Sequence, residues 1–74
     1  MASDRNHICE RIRGLRKKHQ FRQEEVAERL NMSQNAYSEL ESGKRKIDIE
    51  RLYEIAELYK VPVNLLLSEP LAEA

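Results

Sequence analysis

Residues 23–40 read QEEVAERLNMSQNAYSEL, and the spacing within them decides the fold. Counting Gln23 as the first position, apolar side chains fall at the fourth, eighth, tenth, fifteenth and eighteenth: Val26, Leu30, Met32, Tyr37 and Leu40. That rhythm predicts two short helices, about 23–30 and 34–42, each with one apolar stripe. Ala27 supplies a small side chain where two crossing helices approach most closely. Asn31 stands where the chain must bend, and asparagine is the non-glycine residue best suited to a left-handed helix terminus. Ser33 can cap the second helix, and Gly43 can end it.

Working outward, Ile8, Ile12 and Leu15 form an apolar stripe on a first helix that starts after Ser3 or Asp4. Arg11, Arg13, Arg16, Lys17 and Lys18 dress its other faces, the last of them suiting the negative end of the helix dipole. Gly14 is tolerated there at about 1 kcal/mol relative to alanine. Phe21 reads as an apolar anchor in a short connection. On the other side, Asp48 caps a fourth helix with Ile49, Leu52, Ile55, Ala56 and Tyr59 as its inward stripe. The Tyr59 ring closes that stripe, with its hydroxyl expected at the edge. Pro62 opens a short fifth helix, apolar at Val63, Leu66 and Leu67, until Glu69-Pro70 stops it. The expectation is an all-α, five-helix domain over residues 6–68, with a flexible tail at 1–5 and a second tail at 69–74.

The whole chain has 74 residues, enough for one domain with a thin core. Formal net charge is zero and mean hydropathy is −0.74. No stretch approaches the roughly 20 apolar residues of a spanning helix, and the start, MASDRNH, has no signal-peptide character. Cys9 is the only cysteine and cannot form an internal disulfide, which fits a cytoplasmic setting. The neutral total hides a division. Residues 1–46 carry eleven Lys/Arg and seven Asp/Glu, a balance of +4, whereas residues 47–74 carry two and six, a balance of −4. His7 and Cys9 point apart on a helix, and His19 alone adds no zinc spacing. Gly14 and Gly43 are too far apart for a phosphate loop. Neighbouring acids such as Glu24-Glu25 are explained by the helix dipole. The chain is therefore expected to be no enzyme, with no metal, no cofactor and no small-molecule ligand.

The arithmetic of residues 23–40 is that of a helix-turn-helix, although apolar spacing alone also fits a plain helical corner in any small bundle. Two additions point to nucleic acid. Gln34, Asn35 and Ser38 put short polar groups on the outer, leading side of the third helix, sized for base edges in a major groove. Directly after that helix come Lys44, Arg45 and Lys46, placed for phosphates.

With IRGLRKKHQFRQEEVAERLNMSQNAYSELESGKRK followed by DIERLYEIAELYKVPVNLLL, the chain resembles the Cro/CI-type, or XRE, helix-turn-helix regulators over about residues 8–67. The resemblance implies a lambda-repressor-like five-helix domain that binds operator DNA as a homodimer and has no catalytic site. It implies base reading by Gln34, with Ser33, Asn35 and Glu39 on neighbouring DNA-facing positions, and Asn35, Ser38 and Glu39 are expected to read bases beside it. It implies phosphate contacts for Gln23, Lys44, Arg45 and Lys46 and a partly buried ion pair for Arg16 and Glu41; Arg22, Ser33 and Ser42 are further expected phosphate contacts. Asn31 stands where the family most often has glycine, Arg22 replaces the usual Ser or Thr cap, and Glu39 puts a carboxylate towards DNA. Leu65, Leu66 and Leu67 in succession cannot all turn inward from one short helix, so a homodimer interface is expected at Tyr59, Val61, Val63, Leu65, Leu66 and Leu67. It would suit a near-palindromic operator. A rival from another class is a protein-interaction module on the same fold, an antitoxin or adaptor; Glu39 and the neutral net charge favour it, whereas Gln23, Gln34 and the basic loop favour DNA.

Overall fold

A computed structural model describes residues 4–67. Five helices succeed one another: α1 (Asp4–Lys18), α2 (Gln23–Arg29), α3 (Gln34–Ser42), α4 (Ile49–Tyr59) and α5 (Val63–Leu67), with no strand among the described residues. The second tail and the proposed Ser3 cap lie outside the described residues, as does most of the first tail. Helix α1 already begins at Asp4, inside the stretch expected as tail.

The core is one cluster built from every helix. Ile12 from α1, Val26 and Ala27 from α2, Tyr37 and Leu40 from α3, Leu52, Ile55, Ala56 and Tyr59 from α4, and Leu66 from α5 are all buried, as is Leu30. Helix α1 packs on α3 and α5, α2 on α3, and α4 on α5. Ile8 and Leu15 lie only at the margin of this cluster. The deeper line on α1 runs through Cys9 and Ile12, and the Cys9 thiol donates to the Leu40 carbonyl at 3.3 Å.

Four helix ends share one device. At Gln20, Asn31, Gly43 and Lys60 the backbone turns left-handed, with φ of 61°, 59°, 87° and 58°. Each time, the N–H of that residue and of the next fold back onto the last turn. After α2, Asn31 donates to Glu28 and Met32 to Ala27, at 3.1 and 2.8 Å. This pair of hydrogen bonds satisfies carbonyls that a helix end otherwise leaves open. The residue after the turn is apolar in three cases, Phe21, Met32 and Val61, and each packs against the core. In the fourth it is Lys44, which is exposed. The chain after α3 therefore stays on the surface and keeps its basic loop outside.

Two expectations about α4 and α5 are corrected. Ile49, placed in the inward stripe by spacing, is 57% exposed; it is the first residue of its helix, where no neighbouring helix covers it. Leu66 is fully buried and Tyr59 is buried, so neither presents its side chain to a second subunit. The Tyr59 hydroxyl is not at an edge either: it is buried with no hydrogen-bond partner among the described residues. Burial, reinforced by the charge of Glu41, pushes that phenol up to about 12. Its ring lies tilted against His19 and Phe21, which stack on each other, and Arg29 lies 4.9 Å over Phe21.

Candidate nucleic-acid interface

Helices α2 and α3 are set relative to α1 by one carboxylate. Glu41, 4% exposed, accepts four hydrogen bonds. Arg16 grips it with both arms, Nε to Oε2 at 2.6 Å and Nη2 to Oε1 at 3.2 Å. Gln23 Nε2 donates to Oε1 at 3.0 Å and the Tyr37 hydroxyl to Oε2 at 2.6 Å. Burial alone would push this carboxyl up, but the bonds from Arg16, Tyr37 and Gln23 outweigh it and hold it below the ordinary value. In return, the bond to Glu41 raises Arg16 further, and burial followed by the same carboxylate raises Tyr37. The remaining guanidinium nitrogen of Arg16, Nη1, donates to the Phe21 carbonyl at 3.0 Å, fixing the connection that leads into α2. One buried charge pair thus joins α1, the start of α2 and the end of α3.

The N-termini of α2 and α3 are finished differently. Arg22 precedes α2 and its guanidinium offers no acceptor for a cap. The reciprocal half of the box is present, because Glu25 accepts from the Arg22 backbone N–H at 2.7 Å. The Arg22 side chain is exposed beside Glu24. Helix α3 has a full cap, with Ser33 Oγ accepting from Ala36 N at 3.1 Å. That leaves the Ser33 hydroxyl proton available to a phosphate.

Gln34 and Asn35 are exposed on the first turn of α3, and Ser38 and Glu39 follow, partly exposed. Lys44, Arg45 and Lys46 are exposed in the loop beyond. Ser42 and Gln23, both expected at phosphates, are engaged by groups within the chain. Ser42 Oγ donates to the Glu39 carbonyl at 3.1 Å; a hydroxyl has one proton to give and a phosphate only accepts, so Ser42 in this rotamer is no phosphate donor. Gln23 turns its amide towards Glu41, so it braces α3 through that carboxylate. Arg45 is paired with Glu39 at 3.1 Å, a contact that sequence spacing did not signal.

These elements define a helix-turn-helix domain whose second helix packs on α1 and α2 through Tyr37 and Leu40 and leaves Gln34 and Asn35 exposed. Residues 12–66 match the helix-turn-helix family. The chain is also 34% identical over 59 residues to a protein of Bacillus subtilis (strain 168) with the name "Uncharacterized HTH-type transcriptional regulator YobD". That match takes in 80% of this chain and 53% of the relative, so the chain spans about half the length of the relative it matches. No solved structure matches. The chain belongs to the helix-turn-helix family of the Cro/CI, or XRE, type. Among the described residues no group of His, Cys, Asp or Glu is placed to hold a metal ion, and no helix is long and apolar enough to cross a membrane.

Proposed function

We propose that this chain is a sequence-specific DNA-binding domain of a transcription regulator, with α3 lying in the major groove of an operator. The observation that carries the reading is the outer face of α3: a capped N-terminus, exposed Gln34 and Asn35, and an exposed basic loop immediately after the helix. Gln34 is the principal base reader, since a glutamine amide matches the N6 and N7 edge of adenine. Asn35 and Ser38 are within the same footprint. Arg22, Ser33, Lys44 and Lys46 hold phosphates and set the position of α3. The acidic half of the chain faces away from the duplex. Leu65 and Leu67, 37% and 44% exposed, with Val61 and Val63 beside them, form a homodimer contact. A two-fold pair would bring two copies of α3 about 34 Å apart, one turn of DNA, and read a near-palindrome. An alternative as a protein-binding module drew support from the carboxylate of Glu39, but the Arg45 guanidinium beside it lessens its repulsion of phosphate.

Two measurements test this. Log affinity for duplex DNA should fall linearly with log salt, each neutralised phosphate adding about −0.9 to the slope. A flat response, or no retention of duplex at low salt, would instead support a protein ligand. Separately, Gln34→Ala should cost about 1–3 kcal/mol on the preferred site and blur the choice at one base pair. Lys44→Ala should weaken all sequences alike and flatten the salt slope by about one unit. If Gln34→Ala changes neither affinity nor preference, α3 is not the reading helix.

A further inference from the structure

We propose that Arg45 is a specificity-determining residue: it holds the Glu39 carboxylate in place on α3, so that Glu39 selects cytosine at one position of the bound site. The inference rests on the DNA-binding reading above and adds to it a role for an ion pair that the base-reading and phosphate-holding residues leave unexplained. Glu39 and Arg45 are six residues apart, a separation that does not bring side chains together on a helix. The helix end brings them together. Gly43 takes φ of 87°, Gly43 N donates to Leu40 O at 3.3 Å, and Lys44 N donates back to Glu39 O at 2.9 Å. Ser42 Oγ bonds the same carbonyl. The backbone thus reverses over Glu39 and returns the Arg45 guanidinium to it, Nη2 to Oε1 at 3.1 Å. The two side chains remain about half exposed, 48% for Arg45 and 41% for Glu39.

A pair this exposed contributes little to folding, so its effect lies in what it does to the carboxylate. A lone carboxylate on the DNA-facing side is repelled by the phosphates. The guanidinium neutralises it at short range and occupies one oxygen, Oε1. Oε2 is then left to accept a hydrogen bond, and the base edge that offers a donor to it in the major groove is the cytosine N4 amino group. Adenine also carries an amino group, but its neighbouring N7 is an acceptor and repels a second carboxylate oxygen, whereas a glutamine amide satisfies both. Glu39 therefore rewards cytosine and penalises bases that present acceptors. Arg45 acts through Glu39 and is a positioning residue.

The test is selection of bound duplexes from a randomised library by the full chain and its variants, each checked for unchanged helicity. Wild type and Arg45→Lys should enrich cytosine at one position within each half-site. Arg45→Ala should lose about tenfold of that preference, within the range of a single base contact. Glu39→Gln should move the preference towards adenine, and Arg45→Ala added to Glu39→Gln should then weaken all sequences equally. Arg45→Ala that keeps the cytosine preference, losing only uniform affinity and about one unit of salt slope, makes Arg45 a plain phosphate contact and overturns the inference. Enriched duplexes without cytosine preference in the wild type overturn it too, and leave DNA binding standing. Retention of no duplex at low salt overturns the DNA-binding reading and this inference together.

Discussion

Arg16→Ala should destabilise the fold by about 3–5 kcal/mol, the cost of leaving a buried charge without its partner. A domain of this size has a total stability of roughly 4–11 kcal/mol, so the variant stands near the edge of folding. The effect is large because Glu41 is the junction of three helices. Without the guanidinium it keeps Gln23 and Tyr37, two neutral donors, in a site 4% exposed. Tyr37→Phe, which removes one bond and leaves the charge pair, should cost less, about 1–3 kcal/mol. The penalty is also pH-dependent in a fixed direction. Glu41 is held below its ordinary value of 4.5 in the folded protein. Its contribution is therefore fully present above that value and is lost as pH falls through the lower, folded one. Protonated Glu41 no longer needs the guanidinium, so wild type and Arg16→Ala should converge in acid. Urea titrations of both proteins from neutral pH down through the carboxylate range measure this. A gap that stays constant with pH would mean that Arg16 acts through packing and its bond to Phe21, not through Glu41.

Much of this arrangement is legible in the sequence, and the remainder is hidden for physical reasons. Asn31, Gly43, Ser33 and Asp48 announce their roles because a left-handed turn or a cap selects residue type directly; Ser33 and Asp48 do cap, and Asn31 and Gly43 do turn left-handed. Gln20 and Lys60 adopt the same left-handed turn, but neither residue type favours it, so tertiary packing imposes it. The usable signal was one residue further on: Phe21 and Val61 are apolar and must return to the core. On α1 the inward line includes Cys9, Ile12 and Arg16, at spacings of three and four; the polar character of Arg16 hides that it lies along the buried line, because its partner arrives from α3. Gln34, Asn35 and Ser38, proposed above to face bases, are legible as chemistry: short polar groups that α3 leaves wholly or partly exposed. The Glu39–Arg45 pair was not, because it depends on how far the chain reverses at Gly43. Ile49 shows the converse. Periodicity places a residue on a face, but whether anything covers that face is a fact of the whole fold.

That distinction leads to the second large effect, at the three leucines of α5. Leu66 is fully buried, whereas Leu65 and Leu67 are 37% and 44% exposed. Leu66→Ala should cost about 2–5 kcal/mol, since it deletes a filled part of a thin core, and Leu66→Glu should prevent folding by burying an unpaired charge. Leu65→Glu and Leu67→Glu should leave helicity and the urea midpoint of the monomer near those of the parent. Under the dimer proposed here they should shift sedimentation from dimer to monomer and weaken binding to a two-half-site operator much more than to one half-site. The structure offers another apolar surface of similar standing, Ile49 and Tyr53, each 57% exposed one turn apart on α4. Ile49→Glu and Tyr53→Glu should therefore leave the dimer intact if α5 forms the contact. Loss of the dimer in the α4 variants, with Leu65→Glu and Leu67→Glu still dimeric, would move the interface to the outer face of α4. In the proposed complex that change would alter function as well as assembly, because a two-fold axis sets the spacing between two copies of α3 and hence the half-site spacing they would read.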